Sequence, residues 1–130
     1  MKTIQESCDY AVSKIVEQGG RCVDELGCVY RMGEKHCAIG WLLDSWGLPD
    51  KIFNAEAALI DLLHEEEYRV LLYKETFVYL NKHFDVLNAL QAFHDTKDDD
   101  ERRSQYDALV KHGIDTSGPD WQTMLAWGDL

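Results

Sequence analysis

Apolar residues recur at helical spacing along most of the chain. Ile4, Cys8, Ala11, Val12, Ile15 and Val16 fall on one face of a first helix. Thr3 and Glu6 stand at capping-box spacing before that run, and Gly19-Gly20 supplies a left-handed stop after it. Asn54 is placed to cap a helix carrying Ala57, Ala58, Leu59, Leu62 and Leu63, with Glu65-Glu66-Glu67 as its solvated end. The stretch from Tyr68 to Lys74 fits helix or strand. Thr76 is expected to open the longest helix, with its stripe on Phe77, Leu80, Phe84, Leu87, Leu90 and His94. Asp98-Asp99-Asp100-Glu101 opens the next helix, where carboxylates suit the positive end of the helix dipole. Gly113 stops it, and Ile114 follows as the apolar contact of a glycine cap. Asp120 is expected to cap a last short helix with Trp121, Leu125 and Trp127.

One stretch breaks the helical period. Residues 21–24 and 28–31 are short β-leaning runs around Glu25-Leu26-Gly27, and Met32-Gly33-Glu34-Lys35 follows. They predict two or three strands in a small meander, after which Ala38 to Leu43 begins a helix that stops near Gly47. The expected fold is therefore α+β and mostly α-helical. It has four to six helices and a small antiparallel β meander near the N-terminus, in a single domain spanning residues 1–130.

Composition adds limits. The chain has 130 residues, 45% hydrophobic and 28% charged, which suits one folded domain with its own core. Against 24 acids stand 13 bases, for a net charge of −11. Phosphate contacts need clustered cations, so direct nucleic-acid binding and attraction to anionic membranes are disfavoured. Residues 1–40 hold five bases and six acids, a net of −1, whereas 41–93 and 94–130 each hold four bases and nine acids, a net of −5. The meander is thus the least negative region. The opening MKTIQESCDY lacks the apolar run of an export signal, and no run nears the roughly 18 residues of a membrane span. A reducing cytoplasm with free thiols is expected.

Three constellations carry possible chemistry. Cys37 stands where the meander meets a helix, and a thiol at a helix N-terminus is acidified by the backbone amides. His94 and the adjacent Asp95 could serve it as base and orienter in a thiol-dependent hydrolase or transferase. Tyr30, Arg31, Lys35, His36 and Trp41 could receive an anionic small molecule such as a nucleotide, the cations on its phosphate and an aromatic ring on its base. Asp95, Asp98, Asp99, Asp100 and Glu101 form the densest acidic stretch and could meet a basic surface on a partner protein. A zinc site from Cys22, Cys28, Cys37 and His36 or His94 is disfavoured, because Cys-x5-Cys-x8-Cys matches no compact knuckle. His64-Glu65 lacks the second histidine of a metalloprotease helix, since position 68 is Tyr. No metal and no cofactor is implied, and the oligomeric state is left open.

The run Cys28-Val29-Tyr30-Arg31, a glycine-containing turn, then Lys35-His36-Cys37-Ala38-Ile39-Gly40 forms a C-x-Y-R … K-C-A-x-G pattern, here with His36 inserted. A later Leu90-Gln91-Ala92-Phe93-His94-Asp95 reads L-Q-x-x-H-D. In these motifs the chain resembles a group of small uncharacterised bacteriophage and prophage proteins. Leu43-Asp44-Ser45-Trp46 departs from that group's usual aliphatic-proline-aspartate loop, which Leu48-Pro49-Asp50 supplies a few residues later. The resemblance implies a phage accessory protein acting in the host cytoplasm. The expected function is binding to a host protein with a basic surface, as an inhibitor of antiviral defence. The alternatives are sequestration of an anionic small molecule and thiol catalysis.

Overall fold

A computed structural model describes residues 2–20, 23–24, 27–28, 30–32, 34–54, 59–96 and 98–127, with residues 23, 24, 27, 28, 32 and 54 described by backbone alone. The first helix, α1, runs Ile4–Gln18. Its capping box is complete: the Glu6 amide donates to Thr3 Oγ1 at 3.2 Å, and the Thr3 amide donates to Glu6 Oε1 at 3.2 Å. Gly19 closes it at φ 86°, a left-handed conformation that a Cβ would strain. Ser7, Cys8, Ala11, Val12 and Ile15 form its buried stripe.

The expected meander is not formed as one sheet. Val23–Asp24 (β1) pairs antiparallel with Gly27–Cys28 (β2), and Arg31–Met32 (β3) pairs separately with Lys35–His36 (β4). Tyr30 separates the two ladders: the chain bends there to bury its ring, which interrupts strand pairing. Helix α2, Ala38–Ser45, follows at once and ends before Gly47, whose φ is 66°.

A 3-10 turn at Asp50–Asn54 leads towards α3 (Leu59–His64) and α4 (Glu66–Arg69). Ala57, Ala58 and the Asn54 side chain lie outside the described residues, so that cap is not described. The expected longest helix is divided into α5 (Lys74–Lys82) and α6 (Phe84–Asp95). Thr76 is a buried residue inside α5, and Tyr73 holds the N-cap position. His83, at φ −105° and ψ 22°, closes one helix and opens the other. The two stripes explain the break. In α5 the buried positions are Thr76 and Leu80; in α6 they shift to Val86, Leu87, Ala89, Leu90, Phe93 and His94, leaving Phe84 half-buried. The break also lets α5 reach α1, where the Tyr79 hydroxyl and Ser7 Oγ are hydrogen-bonded at 2.6 Å.

Helix α7 (Asp99–Lys111) folds back along α6, and α8 (Pro119–Ala126) packs on α1 and α7. Asp98 caps α7 by accepting from the Glu101 amide at 3.0 Å. The C-terminus of α7 is a Schellman motif: Ile114 N donates to Leu109 O and Gly113 N to Val110 O, with Ile114 buried. Gly118, not Asp120, is the N-cap of α8, because Pro119 takes the first helical position, where its missing amide is no loss. The Trp121 indole donates to Asp9 at 2.8 Å and its ring stacks on Phe93, joining α8 to α1 and α6. Eight α-helices are thus present among the described residues, more than expected from the hydrophobic pattern. None is long and apolar enough to cross a membrane.

Candidate functional site

The most distinctive run of the sequence folds into a buried corner. Cys37 is the N-cap of α2 and is fully buried; its Sγ accepts the Gly40 amide at 3.2 Å. The Tyr30 carbonyl accepts from Cys37 N at 3.3 Å and passes directly over Gly40, where a Cβ would stand 2.0 Å from it. The second free amide of α2, on Ile39, donates to Gln91 Oε1 at 3.1 Å. Gln91 Nε2 in turn donates to Asp95, whose Oδ1 lies 2.6 Å from His94 Nδ1. Gln91 therefore ties the start of α2 to the end of α6, bringing Cys37, Asp95 and His94 into one region. The His94 side chain is wholly buried. Burial pushes the Tyr30 phenol up, and the carboxylate of Asp95 adds to the rise. Burial likewise pushes the Cys8 thiol up to about 12, with Asp9 adding to it. A reactive thiol needs solvent access, and both described cysteine side chains are buried.

The five candidate ligand residues do not converge on one pocket. Three of them, Trp41, His36 and Arg31, lie instead in a row of rings and cations with Lys14 and Phe53. Lys14 Nζ stands 5.5 Å from the Trp41 ring centre, Trp41 packs on His36 at 4.3 Å, His36 meets Phe53 edge-on at 5.7 Å, and the Arg31 guanidinium lies 4.5 Å over Phe53. Arg31 also pairs with Asp50 at 3.4 Å. Tyr30 and His36 are buried, which corrects the expectation that this stretch presents a recognition surface. Lys35 and Trp41 do border a small pocket of about 380 Å³, together with Lys14, Glu17, Gln18 and Glu34. Gln18 holds its floor, accepting from the Trp41 indole and the His36 amide at 3.0 Å each.

His36 is the exception to good satisfaction in this corner. Neither ring nitrogen has a hydrogen-bond partner among the described residues. Its pKa is lowered, chiefly by burial and further by Arg31, while Asp44 and the Glu34 backbone oppose the shift without closing a hydrogen bond on the ring.

The acidic stretch is largely tied into local structure. Asp98 is a cap, Asp99 pairs with the buried Arg102, and Glu101 accepts from Gln105 at 2.8 Å. Asp95 serves His94 and Gln91, so only Asp98 to Glu101 stand out as an exposed face. Among the described residues no group of three or more His, Cys, Asp or Glu could hold a metal ion. Cys22 lies outside the described residues, as does the Cys28 side chain.

One concavity was not foreseen from the sequence. A groove of about 840 Å³ runs between the start of α1 and the outer face of α5, bordered by Lys2, Ile4, Lys74, Val78, Tyr79 and Lys82, with His83 at its end. Its signal was Lys74, Val78 and Lys82 at four-residue steps, one helical face that carries an apolar residue between two cations. No protein-family model, curated protein or solved structure matches the chain.

Proposed function

We propose that this chain is a phage accessory protein that works by binding in the host cytoplasm, engaging a host protein with a basic surface as an inhibitor of antiviral defence. The observation that carries the reading is the exposed carboxylate face Asp98–Glu101 on a chain of net charge −11. Such a field accelerates encounter with a basic partner and disfavours acidic ones. The full burial of Cys37, with its Sγ accepting an amide of its own helix, favours binding over thiol catalysis.

The test begins with capture of the partner from host cells and continues with association kinetics on the purified pair. Asp98→Asn, Asp100→Asn and Glu101→Gln are combined. Asparagine still caps α7, and Asp99 remains as partner to Arg102. Association should slow by about tenfold at low salt and lose most of its salt dependence, with dissociation little changed. Unchanged kinetics would end this reading.

The pocket beside Trp41 favours a second reading, an anionic small molecule held by Lys14 and Lys35. Two glutamates border it, and the indole already packs on His36. A nucleotide panel should raise the melting temperature of the wild type but not of Lys35→Ala; no shift with any nucleotide removes the idea.

A further inference from the structure

The groove between α1 and α5 has a charge opposite to that of the chain as a whole. Lys2, Lys74 and Lys82 border it, against one carboxylate, Glu75. None of the three lysines forms an ion pair among the described residues. Lys2 instead lies 4.4 Å over the Tyr10 ring. Between the cations the wall is apolar: Ile4 and Tyr79 are partly buried, and Val78 is 54% exposed. Lys74 sits on the first residue of α5, where the helix dipole disfavours a cation. It is held there against its local electrostatic preference, a pattern expected of residues kept for recognition.

We infer that this groove is a docking site for an acidic, apolar-centred helix of a partner protein. Lys74 and Lys82 are eight residues apart on one helix, about 12 Å along its axis. Two carboxylates eight residues apart on a docked helix match that separation, and an apolar residue midway between them meets Val78, Tyr79 and Ile4. The anionic remainder of the surface repels such a segment, so this groove fixes where it lands. A compact phosphate suits the site poorly. No arginine borders the groove to grip one bidentately. The inference is independent of the carboxylate face on α7, and the two surfaces can be altered separately.

The experiment uses the full chain as bait for a display library of random helical peptides of about four turns. Recovered peptides should carry two acidic residues bracketing an apolar one. Their affinity should fall by about tenfold or more on the double variant Lys74→Gln/Lys82→Gln, and also on Val78→Ser. The Asp98→Asn/Asp100→Asn/Glu101→Gln variant should bind them as the wild type does. Vesicles rich in phosphatidylglycerol and inorganic phosphate are run as competing probes. The inference is overturned if no peptide is enriched or the enriched peptides lack acidic residues. It is equally overturned if the lysine variant retains them, or if vesicles or phosphate bind in their place through the same lysines. Unchanged melting temperatures of the variants keep loss of binding distinct from loss of fold.

Discussion

The corner around Cys37 and the groove between α1 and α5 are opposites. The corner contains the most distinctive residues of the chain, yet its polar atoms turn inward: Sγ to the Gly40 amide, Gln91 to Ile39 and Asp95, His94 to Asp95. The groove is bordered by ordinary lysines, a valine and a tyrosine, yet it is open and its cations lack carboxylate partners among the described residues. An unusual run of residues can therefore mark a demanding piece of packing, while commonplace residues at the right spacing form the accessible surface. In this chain the cysteine, histidine and glycine of the corner are accounted for by helix capping, ring packing and close backbone approach.

The hardest test of that contrast is Gly40→Ala. The new Cβ would stand 2.0 Å from the Tyr30 carbonyl oxygen and 3.0 Å from its carbon, both backbone atoms. Neither can swing away as a side chain can, so α2 must separate from the Tyr30 bend. A loss of about 3 kcal/mol or more is expected, at the upper end of overpacking effects. Urea denaturation measures it. A loss under about 1 kcal/mol would show that the corner is less tightly constrained than its geometry implies.

The same corner shows where legibility ended. The capping box on Thr3 and Glu6, the Gly19 stop, the acidic opening of α7 at Asp98–Glu101 and the Gly113-Ile114 stop could be read because each rests on residues within a few positions of one another. Placing Cys37 at the start of α2 was also local. That the Tyr30 carbonyl would lie over Gly40, or that Gln91 would accept from Ile39 across 52 residues, depends on how α2 meets α6. Nothing in residue spacing carries that information. The division at His83 was invisible for a related reason: the stripe Phe77, Leu80, Phe84, Leu87 is continuous in sequence, and the shift of buried positions between α5 and α6 is set by packing against distant elements. The groove was hidden because its two walls are 70 residues apart.

Cys37 supplies the next test. As an N-cap it should be replaceable by serine, which caps well, and less so by alanine, which leaves the Gly40 amide unpartnered. Cys37→Ala should lose about 1 kcal/mol or somewhat more, and Cys37→Ser less. In the native protein Cys8 and Cys37 should both resist iodoacetamide and react together on unfolding. Rapid selective alkylation of Cys37 would restore it as a nucleophile and blur the contrast with the groove.

Among the described residues of the corner, His36 is left with unpartnered ring nitrogens, and it predicts an acid sensitivity. Burial holds its folded pKa below the unfolded value of about 6.5, so the unfolded chain binds the extra proton more readily. Stability is therefore complete above about pH 6.5 and declines as the pH falls from there through the folded pKa. His83 acts in the same sense, through burial and then Lys82. The decline that begins below about pH 6.5 starts before protonation of Glu6 and Asp115, whose pKa values are lowered by hydrogen bonds to Thr3 and Ser117. His36→Phe keeps an aromatic ring between Trp41 and Phe53 and should remove the larger part of the slope. His83→Asn should remove a smaller part. A slope unchanged by His36→Phe would mean that the ring is hydrated or hydrogen-bonded in solution.

The smallest expected effect belongs to the groove. Lys74 and Lys82 lie at opposite ends of α5, so the helix dipole acts on them with opposite signs. Lys74→Gln removes a cation from the positive end and should stabilise the protein by a few tenths of a kcal/mol. Lys82→Gln removes one from the negative end and should destabilise it by a similar amount. The double variant should then match the wild type in denaturation to within about 0.5 kcal/mol, since both side chains are exposed and neither is ion-paired among the described residues. A corner residue that loses about 3 kcal/mol with no surface chemistry to explain it, and a lysine pair that loses nothing, would divide the molecule into a part kept for folding and a part kept for contact. If the double variant were instead strongly destabilised, the lysines would be structural and the contrast between the two regions would fail.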